Sequence, residues 1–173
     1  MPFAYYDKLS AARQHIYRKS DSIQTLGIPP GLALRVLITQ IGDALKSENR
    51  TATQSACQRL VDALLQGYRV PPVRVRVLTR RPADGYGELH GLYEPEEGKA
   101  LALITVWMRT AQRKQVVAFK TFLRTLIHEV CHHLDYELFA LEETLHTEGF
   151  YKRESTLVAA LLAQLAAHEE ERS

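Results

Sequence analysis

The chain has 173 residues, 46% of them hydrophobic and 24% charged, which suits one compact domain with a real core and excludes a disordered or fibrous chain. Its formal charge of +2 gives no argument for nucleic acid or an anionic membrane. Two cysteines, Cys57 and Cys131, cannot build a disulfide framework or a four-cysteine zinc ribbon. No stretch approaches the roughly 20 apolar residues of a membrane span, and MPFAYYDKLSAARQHIY lacks the apolar core of a leader, so a cytoplasmic setting is the expectation.

In chain order, the first 70 residues read as helices. A segment over residues 6–25 stops before Pro29 and Pro30, which cannot continue a helix. A second, over 32–45, repeats Leu34, Leu37, Ile38, Ile41 and Leu45 at helical spacing, and a third, over 52–68, does the same with Ala56, Leu60, Ala63 and Leu64. None of the three carries a catalytic constellation, so a helical pack covering something else is expected.

After Pro71 and Pro72 the period changes. Val73, Val75 and Val77 alternate with Arg74 and Arg76, which predicts a half-buried strand. Arg74, Arg76, Arg80 and Arg81 form a local basic cluster that reads equally as a solvated strand face or a phosphate-binding patch. ELHGLYE (88–94) predicts a second strand, in which His90 shares a face with Glu88 and Glu94. EPEEGK supplies a turn, and ALALITVWM, apolar on both sides, predicts a third strand inside the sheet, with a hairpin between the last two.

From Lys114 the helical period returns. Val116, Phe119, Leu123, Leu126, Val130 and Leu134 share one stripe, and at about 100° per residue His128 and His132 point away from it, near Thr121 and Thr125. Cys131 turns toward the core and His133 toward the edge of the stripe. A last helix, from Gly149 or Arg153 to His168, is apolar on most sides and should be well buried as far as the charged tail.

His128 and His132 stand four apart, where helical side chains lie about 5–6 Å apart at Cβ, so two imidazoles can converge on one ion at about 2.0–2.1 Å. Glu129 follows the first histidine and can reach a water beside the ion, which is the mechanical content of H-E-x-x-H. Zinc lowers the pKa of bound water to roughly 7, and a neighbouring carboxylate takes the proton and passes it to a leaving amine. A catalytic zinc site takes three protein ligands and keeps one open position. His146, fourteen residues after His132 and before a turn expected at Gly149, ranks first as the third ligand, with Glu142 and Glu143 competing. Tyr151 and Arg153 are candidate donors to the oxyanion of the reaction, set against a packing aromatic and an acid-paired arginine respectively. Asp135 reads as an exposed acid or as an acceptor for the free N–H of a ligand.

HEVCH followed by HTEGF resembles the zincin metallopeptidases, in particular the SprT-like proteins. There an H-E-x-x-H helix is followed, some fourteen or fifteen residues on, by a third histidine, with a Phe four residues later; Phe150 stands four after His146. The resemblance covers residues 70–165 and implies an α+β zincin-like fold with a small antiparallel or mixed three-stranded sheet. It further implies one Zn2+ on His128, His132 and His146, Glu129 as general base and acid, and a protein or peptide substrate docking on an edge strand at residues 87–94, with His90 lining the cleft. Thr147 and Glu148 replace the Gly-Pro usual in that segment, and the cysteine-rich ribbon of many relatives is missing. The rival expectation is a non-catalytic regulatory or binding domain with a structural metal, its fourth position closed by Cys131 or Glu148, and with the N-terminal third as partner surface.

Overall fold

The computed structural model describes residues 1–85 and 87–172, with side chains through residue 167. A 3-10 turn over Ala4–Lys8 leads into helix α1 (Ala11–Ser22), whose first turn is capped by Ser10 accepting from Arg13 N at 3.2 Å. Helix α2 (Arg35–Lys46) buries Ile38, Ile41, Ala44 and Leu45 against α3 (Arg50–Tyr68), which buries Ala56, Leu60, Val61 and Leu64. Asn49 caps α3 through Ala52 N at 2.9 Å, and Arg69 ends it in the left-handed conformation (φ 60°).

Strands β1 (Arg74–Arg80), β4 (Gly91–Glu94) and β5 (Leu103–Arg109) form a mixed sheet in the order β1-β5-β4. β5 runs parallel to β1, pairing Ile104 with Val75 and Val106 with Val77, and antiparallel to β4, pairing Ile104 with Tyr93 and Val106 with Gly91. The strand that is apolar on both faces is therefore the central one, as expected from burial on both sides. The predicted second strand is divided in two. Gly87–Glu88 (β3) leaves the sheet to pair with Ala83–Asp84 (β2), and Leu89 and His90 lie in neither strand. His90 is exposed and shares no strand face with Glu94.

Helix α4 (Phe119–Glu137) starts later than the Lys114 expected from its period. Before it, Val116 bridges to Arg109 and Val117 N bonds Met108 O at 2.7 Å, so the apolar residues ahead of Phe119 extend the sheet. The helix buries Phe122, Leu123, Leu126, Ile127, Val130, Cys131 and Leu134 under β4 and β5. Its end turns at Ala140, which is left-handed (φ 51°), with Leu141 N bonding back to Asp135 O at 2.9 Å.

Helix α5 (Glu148–Arg172) begins with Thr147 accepting from Phe150 N at 2.9 Å. Gly149 is thus inside a helix, not in the turn expected there. It is needed for close approach: a Cβ would lie 2.5 Å from Asp21 O and 2.8 Å from Ser20 O at the end of α1. The apolar run of α5 is buried on one side only, through Leu157, Val158 and Leu161, while Ala159 and Ala163 are exposed. Among the described residues no helix is long and apolar enough to cross a membrane.

Candidate metal centre

α4 presents His128 and His132 on its half-buried flank, and the segment after Ala140 returns His146 to them. The three Nε2 atoms converge: 3.2 Å separates His128 from His132 and 3.0 Å separates His132 from His146. Nitrogens bound at about 2.0–2.1 Å to a tetrahedral ion lie roughly 3.3 Å apart, so both of these separations are within a few tenths of an ångström of that spacing. These three residues can hold a metal ion.

The hydrogen bonds behind the rings decide what faces the centre. Thr144 Oγ1 spends its one proton on Asp135 Oδ2 at 2.8 Å, so it can only accept from His132 Nδ1 at 2.7 Å. His128 Nδ1 donates to Glu154 Oε1 at 2.6 Å. In neutral imidazoles these bonds leave both Nε2 lone pairs bare and aimed at each other, a repulsive arrangement that a shared cation relieves. Burial, followed by the neighbouring imidazoles of His128 and His146, pushes the pKa of His132 down to about 3, and burial lowers that of His146 as well. Neutral imidazole is the form that ligates.

Each anchor is itself held. Asp135 is fully buried, contrary to the exposed acid expected, and its Oδ1 accepts from Arg153 at 2.9 Å. Arg153 is also fully buried and always charged, and Asp135 is its one ion-pair partner among the described residues. Burial raises the Asp135 pKa, while the Arg153 charge and the Thr144 and Arg153 hydrogen bonds oppose it. Arg153 is thereby the acid-paired arginine, closed off from any oxyanion. Glu154, 6% exposed, spans His128 and Arg124, whose guanidinium lies 3.2 Å from Oε2. Phe150 lies behind all three imidazoles, with ring centroids 5.0, 4.7 and 5.2 Å from His128, His132 and His146.

Glu129 is 5% exposed and lines two hollows that share Gly91 and His128, the second of them lined by all three histidines. One, about 370 Å³, is walled by His90, Arg124, Thr125 and Glu154; the other, about 340 Å³, by Leu92, Tyr93, Pro95 and Tyr136. Burial raises the Glu129 carboxyl to about 7, with the neighbouring His128 opposing and Glu154 adding. Gly91 sits directly over it: a Cβ there would lie 2.8 Å from Glu129 Oε1. A separate hollow of about 730 Å³ lies between α2 and the start of α4, and none of the three histidines lines it.

The other predicted residues fall as follows. Glu143 is turned away to Arg13, bonding it at 2.6 and 2.9 Å, and the exposed Glu142 is outside the converging group. His133 is fully used, its Nδ1 on Tyr93 OH and its Nε2 on Pro71 O, both at 2.8 Å. Cys131 is buried in the core, and Glu148 pairs with Lys152 at 3.3 Å, so neither joins the converging group. Tyr151 is 39% exposed, with its ring 6.1 Å from His128 and 5.6 Å from His146. The arginine cluster is broken up, since Arg81 is buried near Glu88 whereas Arg74, Arg76 and Arg80 are exposed.

Glu154 and Thr144 escaped sequence reasoning. Glu154 had a signal: it shares the buried stripe of α5 with Leu157, Val158 and Leu161, and an acid on such a stripe needs a partner. Thr144 had none, because its role depends on where the loop lands. No family model, no curated protein and no solved structure matches this chain.

Proposed function

We propose that this chain is a zincin-type zinc peptidase that hydrolyses peptide bonds of a protein or peptide substrate. One observation carries the reading: bare imidazole nitrogens converge beside a buried carboxylate, in a cleft beneath an uncovered strand edge. His128, His132 and His146 would hold the ion. Zinc, when bound, supplies a Lewis acid that acidifies water and polarises a carbonyl.

The chain's own residues supply the rest. Glu129, buried beside His128 at the mouth of both hollows, is placed to take a proton from water at its carboxylate and give it to the leaving amine. β4 offers backbone N–H and C=O groups to an extended substrate by strand addition, and Gly91 brings that substrate close to Glu129. Tyr151, beside two of the ligands and partly exposed, is the hydroxyl assigned to the carbonyl oxygen. Glu154 and the Thr144–Asp135–Arg153 chain hold the ligand tautomers through turnover.

The test is Glu129→Gln, assayed for bound zinc and for cleavage of labelled casein. Zinc content should be retained while cleavage falls by about 10²–10⁴-fold, the usual worth of a general base. Undiminished cleavage in that variant would reject the assignment.

A further inference from the structure

The N-terminal residues, which carry no chemistry of their own, are wrapped around the segment that delivers His146. The 3-10 turn packs on α1: Phe3 N bonds Tyr17 OH at 2.8 Å, and the rings of Tyr5 and Tyr6 meet that of Tyr17 edge-on at 5.6 and 5.1 Å. Together they build a small core separate from the main one. It consists of Ile16, Tyr17 and Leu145, with Tyr5, Tyr6 and Leu9 packed against it. Leu145 is the residue just before the third ligand, and it is anchored there rather than in the main core.

Polar contacts follow the same path. Tyr5 OH donates to the backbone carbonyl of His146 itself. Arg13 holds Glu143 with two bonds, at 2.6 and 2.9 Å. Ser20 Oγ meets Thr147 Oγ1 at 3.1 Å, and Asp21 Oδ1 accepts from Gly149 N at 2.8 Å. Residues 143–149 are thus gripped at five points, Glu143, Leu145, His146, Thr147 and Gly149, by residues 5–21, across more than 120 positions of sequence. α4, by contrast, fixes His128 and His132 through its own helix geometry.

We propose that residues 1–24 are a positioning arm for the third metal ligand, so that docking of the arm and occupancy of the metal site are coupled. This rests on the metal reading above. Two ligands are preformed on a helix, whereas the third sits on a segment that Thr144 and Phe150 tie to the main body and that the docked arm grips between them. By linkage the ion then stabilises the docked arm as much as the arm strengthens ion binding. A partner that captured the arm would weaken the site without touching a ligand.

The experiment uses the full chain, with zinc affinity measured by competition against a chromophoric chelator and His146→Ala as reference. Tyr5→Phe keeps the ring and removes one bond; Arg13→Glu and Glu143→Arg each break the ion pair, and the double exchange R13E/E143R restores it. Each single change should weaken zinc binding about tenfold, with the melting temperature of the metal-free protein nearly unchanged, and the exchange should recover most of the loss. Zinc should also slow amide hydrogen exchange in residues 4–22 of the unaltered protein more than in α3. Affinities within twofold of the unaltered protein, an exchange variant as weak as the singles, or zinc-insensitive amide exchange in the arm would overturn the proposal. If His146→Ala binds zinc as tightly as the unaltered chain, the site reading falls together with the arm. If only His146→Ala loses zinc, the arm alone is refuted.

Discussion

Along β1 the outward backbone is occupied: Gln58 Oε1 accepts from Val75 N at 2.8 Å, Gln54 Oε1 from Val77 N at 3.0 Å, and Arg50 reaches Val77 O at 3.0 Å. Along β4, the other edge of the same sheet, no side chain among the described residues takes up the backbone. An exposed edge is an aggregation hazard that proteins ordinarily cover, and α3 covers one here with amide side chains. The uncovered edge lies over Glu129 and the histidines, and the strand is short. The proposed function uses that open edge as the place where an extended peptide would pair.

This contrast can be broken from the open side first. Gly91→Val puts atoms where Glu129 Oε1 and Thr125 Cγ2 now lie 2.8 and 2.9 Å from a Cβ. It should cut casein cleavage by about 100-fold or more while zinc content stays near one per chain, because misplacing a catalytic group by an ångström costs about that much. Unchanged cleavage would detach β4 from the chemistry. Beneath that edge, Arg153→Met leaves Asp135 buried without its counter-charge. A loss of about 3–5 kcal/mol in urea unfolding is expected, with zinc retained less tightly, and a loss under 1 kcal/mol would show that the pair is dispensable.

Smaller effects sharpen the comparison. Glu154→Gln removes the charge behind His128 Nδ1 and should weaken zinc by roughly 10–100-fold in chelator competition, since outer partners of a ligand carry about that weight. On the closed side, Gln58→Ala exposes the Val75 amide and the Val73 carbonyl. That should lower stability by about 1–3 kcal/mol and leave kcat/KM alone. A fall in kcat/KM there would mean that the two edges are not independent.

Much of this was legible in the chain. The alternation of Val73, Val75 and Val77 with arginines marked a half-buried strand, and ALALITVWM marked the strand that turned out central. H-E-x-x-H placed two imidazoles on one helix flank, and the structure brings His146, not Glu142 or Glu143, to them. Other parts had no local mark. Asp135 looks like any acid late in a helix until a buried Arg153 from α5 meets it. Gly149 looks like a turn glycine until α1 is laid against its Cα. ELHGLYE looks continuous until Glu88 pairs with Ala83 instead and Leu89 and His90 fall outside both strands.

The residue string alone determined periodic features: which residues share a helix flank, which strand is apolar on both faces, and hence the nearness of His128 and His132. These follow from 3.6- and 2-residue repeats that act over a few positions. Tertiary structure alone decided where His146 comes to rest, which nitrogen each imidazole turns inward, and which sheet edge stays open. Those outcomes depend on contacts such as Tyr5 with His146 or Gln58 with Val75, made by residues far apart along the chain, whose meeting no local repeat encodes.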